Sequence, residues 1–298
     1  MDPVDPNASV NIDDLFAQGV DDDVISQAAV ASLRQVDLNR RIRPALGVDI
    51  DRLAASQMVL VTGLIDDSQS IRAWARDEHG NEVMNERGQR VSNADLMREA
   101  HNQIVGDVIG ESRGGQDVTC HVRYLNPSIA ANGGMTDILC NYVLLPQVPL
   151  LTVDNYNPRG QTPLFDQMAV TLATVQAETL RYINLNMPCR SIVYIITDGA
   201  DYGSHTHSPR TIRPIVQSML AQEFNIIAAI GIQDDQGTDF RRVFADCGVP
   251  DEWIKTPENT ASDMRRTFGF LSRSVSRASR TAGAVTSSQV RASFEWDN

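Results

Sequence analysis

The chain has a single lysine, Lys255, so arginine carries nearly all of its positive charge. It has no Gly-x-x-x-x-Gly-Lys-Ser/Thr loop, which excludes P-loop nucleotide binding. No apolar run approaches the ~20 residues of a membrane helix. The four cysteines, Cys120, Cys140, Cys189 and Cys247, are far apart and form no Cys-x-x-Cys pair. A zinc ribbon or a disulfide framework is therefore not expected, and buried free thiols are. Positive charge is also outnumbered: the net charge of −12 argues against general nucleic-acid binding. It suits a basic partner or simply a soluble protein. The first residues, Met-Asp-Pro-Val-Asp-Pro, lack the basic flank and apolar stretch of a signal peptide, and the expectation drawn from them is a cytosolic protein with no membrane contact.

What is present is organised around Met58–Ile65, an apolar run of strand length that stops at Asp66 and is followed by Ser68 and Ser70. Apolar residues at both parities predict a strand buried on both faces of a sheet. In open α/β sheets ligands bind at the carboxyl ends of such strands. One carboxylate and two hydroxyls therefore fall where a site is expected, and hard cations such as Mg²⁺ take oxygen ligands. A second apolar run, Ile192–Thr197, also ends in a carboxylate, Asp198, before Gly199. Between them lies Gly160-Gln161-Thr162-Pro163-Leu164-Phe165-Asp166. Thr162 and Pro163 have a plain reading as the cap and first residue of a helix. Apolar strands alternate with helical patterns along the chain, which predicts an α/β fold with a doubly wound, mostly parallel sheet.

Asp66-x-Ser68-x-Ser70, Gly160-x-Thr162-x-Leu164 and Thr197-Asp198-Gly199 occur together, in the order and at separations similar to the metal-ion-dependent adhesion site of von Willebrand factor A (vWA) domains. The resemblance covers residues 50–280. It implies a Rossmann-like sheet with one antiparallel edge strand, and a Mg²⁺ ion, with Mn²⁺ or Ca²⁺ as alternatives. Ser68, Ser70 and Thr162 would be direct or water-linked ligands, and Asp66 and Asp198 the charge-balancing ones. One coordination position would stay open for an Asp or Glu of a protein partner. Asp67 and Asp166 are not required by the motif. A weaker similarity of residues 268–280 to intracellular bacterial vWA proteins of tellurium-resistance and stress operons implies a cytosolic adaptor, working with an ATPase or stress protein.

Domain organisation follows. Residues 1–47 read as an acidic arm to about 21 and then a helix to Val36, with Ile25, Ala29, Leu33 and Val36 on one face. Arg40–Pro44 read as a solvated basic turn. The vWA-like domain spans 48–281, and 282–298 read as a disordered tail. Residues 71–91 depart from the family as an insertion beside the rim, with turn signals at His79-Gly80-Asn81 and Arg87-Gly88-Gln89 and Trp74 close by. Strands are expected over 117–124 and 137–145, with 126–136 as a turn-rich link. A terminal amphipathic helix carries Met264, Phe268, Leu271 and Val275 on one stripe, and its Ser-Arg alternation reads as a solvated face.

Two other function classes fit fewer residues. A metal-dependent phosphoester hydrolase would use the same strand-end carboxylate. The only general-base candidates in reach are His205 and His207, and no paired nucleophile is evident. A secreted adhesion protein is the competing binding role. The expected function is binding, not catalysis.

Overall fold

The computed structural model describes residues 11–22, 24–33, 41, 46, 58–111, 117–129, 135–222, 224–234 and 236–280. The domain start near Val48 and the tail from 282 lie outside the described residues.

Six strands form one sheet: β1 (Met58–Ile65), β2 (Val118–Ile129), β3 (Met135–Leu144), β4 (Cys189–Thr197), β5 (Asn225–Gly231) and β6 (Ile254–Lys255). Their order is β3-β2-β1-β4-β5-β6. All neighbours are parallel except β2 and β3. The fold is therefore the expected α/β class, with β3 as the antiparallel edge. The helices are α1 (Ile12–Asp21), α2 (Gln27–Leu33), α3 (Asn93–Glu111), α4 (Leu164–Asn184), α5 (Pro209–Ala221), α6 (Phe240–Asp246) and α7 (Ala261–Arg280). No helix among the described residues is long and apolar enough to cross a membrane. From β1 the chain builds outward through β2 and β3, then returns to place β4 on the other flank of β1. The order reverses there, and a crevice opens beyond the carboxyl ends of β1 and β4.

All eight residues of β1 are buried, as a central strand requires. Gly63 is the one β1 position without a side chain. A Cβ there would meet the Tyr194 ring at 2.5 Å, so glycine is what lets this fully buried ring lie across β1. Helix α4 packs on β1, β2 and β4 and is itself flanked by α1 and α5. Met168, Leu172 and Val175 of this helix are buried in the core. Beneath it the core is unusually polar. Thr62 and Tyr142 share a 2.9 Å hydrogen bond, and His121 stacks on Tyr142 at 5.1 Å. Tyr142 has φ +32, beside the irregular register of β2 with β3, and these two contacts hold it in that sparsely populated region. The guanidinium of Arg123 is wholly buried and pairs with Asp137 at 2.6 Å. Arg41 reaches the same carboxylate at 2.9 Å and also Gln167 at 3.0 Å.

Several expectations change. Residues 12–21 are a helix and not an arm: Asn11 caps it, and Ile12, Leu15, Phe16 and Gly19 bury one face. The next helix begins at Gln27, after a turn in which Val24 and Ile25 donate to the carbonyl of Gly19. Ile25 in that turn and Ala29 and Leu33 of the helix are buried against the domain, while residues 34–40 lie outside the described residues. Arg41 is an ion-pair partner and not part of a solvated turn. Strand β2 continues through Asn126 and Pro127 to Ile129, and β3 starts at Met135, so both strands extend into the segment expected to be a link. The stripe of α7 is buried as expected. Its Ser272, Ser274 and Ser276 are buried too, so the Ser-Arg alternation is not a solvated face; Ser272 donates to Asp107 at 2.6 Å. All four cysteines are free and buried.

The insertion is a repeat of eight residues, Ala75–Glu82 and Val83–Arg90, with Asp77 and Asn85, Glu78 and Glu86, and Gly80 and Gly88 in equivalent places. Each unit turns on one side chain. Asp77 accepts from the amides of His79 and Asn81, and Asn85 from those of Arg87 and Gln89. Gly80 and Gly88 take φ +80 and +72, which a Cβ would disfavour. Three legs close on one another: Ala75 donates to Val91, Val91 to Val83 and Val83 to Ala75, at 2.8–2.9 Å. Arg76 is bridged to Thr260, just before α7.

Candidate metal centre

The candidate ligands arrive from three segments. Asp66 follows β1, and its amide still donates to the Ile196 carbonyl of β4 at 2.9 Å. Its buried carboxylate accepts from the Ser68 amide (2.7 Å), the Thr197 hydroxyl (2.6 Å) and the Asp198 amide (3.3 Å). The Ser68 and Ser70 hydroxyls lie 2.9 Å apart, and Ser70 donates to Asp198 at 2.6 Å. A short 3-10 turn, Gln69–Arg72, follows Ser68 and buries Ile71, which fixes the two hydroxyls.

Thr162 completes the ring. A Cβ on Gly199 would lie 3.2 Å from the Thr162 Oγ1, so this hydroxyl sits directly beside the Asp198-Gly199 peptide. Thr162 is buried, and its hydroxyl has no hydrogen-bond partner among the described residues. It is not the cap expected for α4. The cap position is Pro163, and the Thr162 backbone is taken up in a two-way bridge with Tyr202, at 2.9 and 2.8 Å. Asp66, Ser68, Ser70, Thr162 and Asp198 are thus brought together, although they span 133 positions of sequence from 66 to 198.

The electrostatics of this ring are unfavourable as it stands. Burial pushes the Asp66 carboxyl above its ordinary range, against the hydrogen bonds it accepts. Burial, with the charge of Asp66 second, pushes Asp198 up to about 7. Burial likewise raises Asp67 to about 7, despite donation from the amide and side chain of Asn126 at 2.9 and 3.0 Å. Among the described residues no arginine, lysine or histidine figures in the groups acting on these three carboxyls. Buried carboxylates want a cation or a proton. The five oxygen-bearing side chains, three neutral and two anionic, suit a hard divalent ion. Among the described residues no group of three or more His, Cys, Asp or Glu is placed to hold a metal. This candidate has two such carboxylates, and its other donors are hydroxyls.

Because the ligands must shed protons, cation affinity should fall as pH drops below about 7. Titration calorimetry with Mg²⁺ at pH 5.5 and 7.5 should show at least ~10-fold weaker binding at the lower pH, by the usual tenfold per pH unit for each proton displaced. Equal affinity at the two values would mean that these carboxyls do not bind the ion.

Sequence reasoning missed several supports. The Tyr156 hydroxyl donates to the Asp66 carbonyl, and Asn126 ties Asp67 to the Gln161 carbonyl at 2.8 Å. Asn126 lies in the extension of β2 and Tyr156 in the loop before α4, and neither carries a local signature. Thr197 bridges Asp66 and the Gly199 carbonyl, a role that its place before Asp198 could have suggested. Asp201 accepts from the Phe165 amide and Ser204 hydroxyl. His205 and His207 are held to α4 through their backbone. Their amides bind Asp166, and the His207 ring lies 3.4 Å from the Thr211 hydroxyl.

No protein-family model and no curated protein matches the chain. Solved structures do. A variant of the PilB minor pilin from Streptococcus sanguinis is 13% identical over 80% of this chain and 66% of that one, with a TM-score of 0.48. Proximal thread matrix protein 1 of the mussel byssus, with a zinc-occupied MIDAS motif, is 17% identical over 72% and 45%, at 0.43. The vWF domain of the type V pili tip protein Mfa5 from Porphyromonas gingivalis is 10% identical over 78% and 99%, at 0.45. The chain thus spans less than two thirds of the first two. The similar proteins are pilus and byssus proteins, and that finding overturns the expectation of a cytosolic protein.

Proposed function

We propose that this chain is a metal-dependent protein-binding domain of the vWA type. Asp66, Ser68, Ser70, Thr162 and Asp198 would hold a divalent cation, Mg²⁺ first among the candidates, and a partner protein would add an Asp or Glu carboxylate. One observation carries the reading: two touching strand ends bury carboxylates that no cationic side chain among the described residues compensates, within a ring of hydroxyls. A bound ion supplies the missing charge. With only two anionic groups around it, the ion stays electrophilic, and an incoming carboxylate gains strongly.

Binding is favoured over hydrolysis by what surrounds the ring. Among the described residues no histidine nitrogen lies within hydrogen-bond distance of Ser68, Ser70 or Thr162, and the carboxylate that Ser70 meets, Asp198, is itself one of the groups that would hold the ion.

The test has two steps. Calorimetry with Mg²⁺, Mn²⁺ and Ca²⁺ should find one site in wild type and none in Asp198→Ala. Capture of partner proteins from the source organism should then succeed in Mg²⁺ and fail in EDTA or with Asp198→Ala. Capture indifferent to both changes would sink metal-mediated recognition.

A further inference from the structure

Helix α4 and the loop that follows Asp198 cap each other through two carboxylates. The first free amides of the helix, those of Phe165 and Asp166, donate to Asp201 Oδ1 and Ser204 Oγ of the loop, both at 3.1 Å. Ser204 itself donates to Asp201 at 2.5 Å. In return the loop presents three consecutive amides to the Asp166 carboxylate of the helix. These are His205 at 2.9 Å, Thr206 at 3.1 Å and His207 at 2.7 Å. A carboxylate accepting several backbone N–H groups is among the stronger uncharged-partner arrangements in proteins.

Between these two clamps lies Thr162. Its amide and carbonyl are both bonded to Tyr202, one residue beyond Asp201. Its hydroxyl is placed by backbone alone, since no described residue bonds it. Whatever fixes Tyr202 therefore fixes Thr162 against Gly199. Three consecutive amides on one carboxylate leave the loop a single register.

We infer that Asp166 is a positioning residue for the cation site: it locks the 199–208 loop against α4 and so sets the Thr162 hydroxyl at the distance the ion requires. The inference rests on the metal-binding reading for its consequence, but not for its geometry. The motif in the sequence does not include Asp166. Groups that orient metal ligands from behind commonly change affinity by ~10–100-fold when removed.

The experiment has two arms on the full chain. In the first, hydrogen exchange is followed without metal in wild type, Asp166→Ala and Asp166→Asn. The amides of His205, Thr206 and His207 should exchange ~10-fold faster or more in the alanine variant, as loss of a charge-assisted bond predicts. The asparagine variant, which keeps one acceptor oxygen, should recover part of the protection. Unchanged exchange in Asp166→Ala overturns the inference outright.

In the second arm Mn²⁺ affinity is measured by electron paramagnetic resonance for wild type, Asp166→Ala, Thr162→Ala and the double variant. Asp166→Ala should weaken binding about tenfold in the wild-type background and much less in the Thr162→Ala background. Equal losses in both backgrounds would show that Asp166 does not act through Thr162. If wild type binds no Mn²⁺ and the loop still loosens in the first arm, the metal reading falls and the latch stands.

Discussion

In chelator at pH 7.5, an Asp198→Asn variant is expected to unfold at higher denaturant concentration than the wild type, and to gain nothing from Mg²⁺. The reason is the raised carboxyl. The folded wild type holds a proton on Asp198 up to about 7, against 3.8 for the ordinary group. Between these values the folded state binds more protons than the unfolded chain, so stability falls as pH rises through the window. The cost is nil below about pH 4 and complete above about pH 7. Three pH units correspond to no more than ~4 kcal/mol. Asparagine keeps an acceptor for Ser70, and the net gain for the variant should be ~1–3 kcal/mol. Wild type should gain ~2.7 kcal/mol at a Mg²⁺ concentration 100 times its Kd, and the variant none. His101 and His121, pushed down to about 4 and about 3 by burial, tilt the pH profile the other way. They do so in both proteins, so the difference between two urea melts isolates Asp198. A variant less stable than wild type in chelator, or one stabilised equally by Mg²⁺, would contradict the account.

The largest loss of stability is expected from Asp137→Asn. Its carboxylate holds two arginines, and one of them, Arg123, has a wholly buried side chain. Burial by itself would raise the Asp137 carboxyl, and the charges of Arg123 and Arg41 bring it below the ordinary range instead. Its contribution is therefore present above the usual carboxylate range and lost in acid. Removing the charge leaves the Arg123 guanidinium in the core with only neutral acceptors among the described residues, the new amide oxygen and the Arg41 carbonyl at 3.2 Å. Breaking a buried pair from one side costs ~3–5 kcal/mol. Adding Arg123→Met should recover a large part of that, since it removes the stranded charge. Urea melts at pH 7 of the two single variants and the double one would decide it. A double variant as unstable as the sum of its parts would mean that the two residues are not coupled.

The strands that carry the site were legible because of where they lie. A central strand covered on both faces has to be apolar at both parities, so β1 and β4 read as unbroken runs, and the carboxylates that end them stand out. Residue type and order alone mark Asp66, Ser68, Ser70 and Asp198 at strand ends, and Thr162 joins them only through the resemblance to the vWA motif. Helix α1 was not legible, because its Asp and Asn content hides the spacing of Ile12, Leu15, Phe16 and Gly19. The cap reading of Thr162 fails because a hydroxyl before proline is only the local signal, while its backbone is claimed by a residue 40 positions away, Tyr202. Asn126, Tyr156 and Asp201 act only through contacts that the tertiary fold creates. The eight-residue repeat was open to reading from the spacing of Gly80 and Gly88, but nothing in the sequence says that its three legs close.

That closure has an architectural consequence. The residues flanking the repeat, Ala73 and Asn93, are themselves joined, with the Asn93 amide donating to the Ala73 carbonyl at 2.9 Å. A self-bonded unit whose entry and exit already touch is a cassette plugged into the domain, seated three residues beyond Ser70 and clear of the sheet hydrogen bonds. The oxygen ring and the sheet can therefore stay constant while the face beside them is exchanged, one octad at a time, for another with different side chains. The exposed Trp74, with Arg90 over its ring at 5.6 Å, is the face this chain carries.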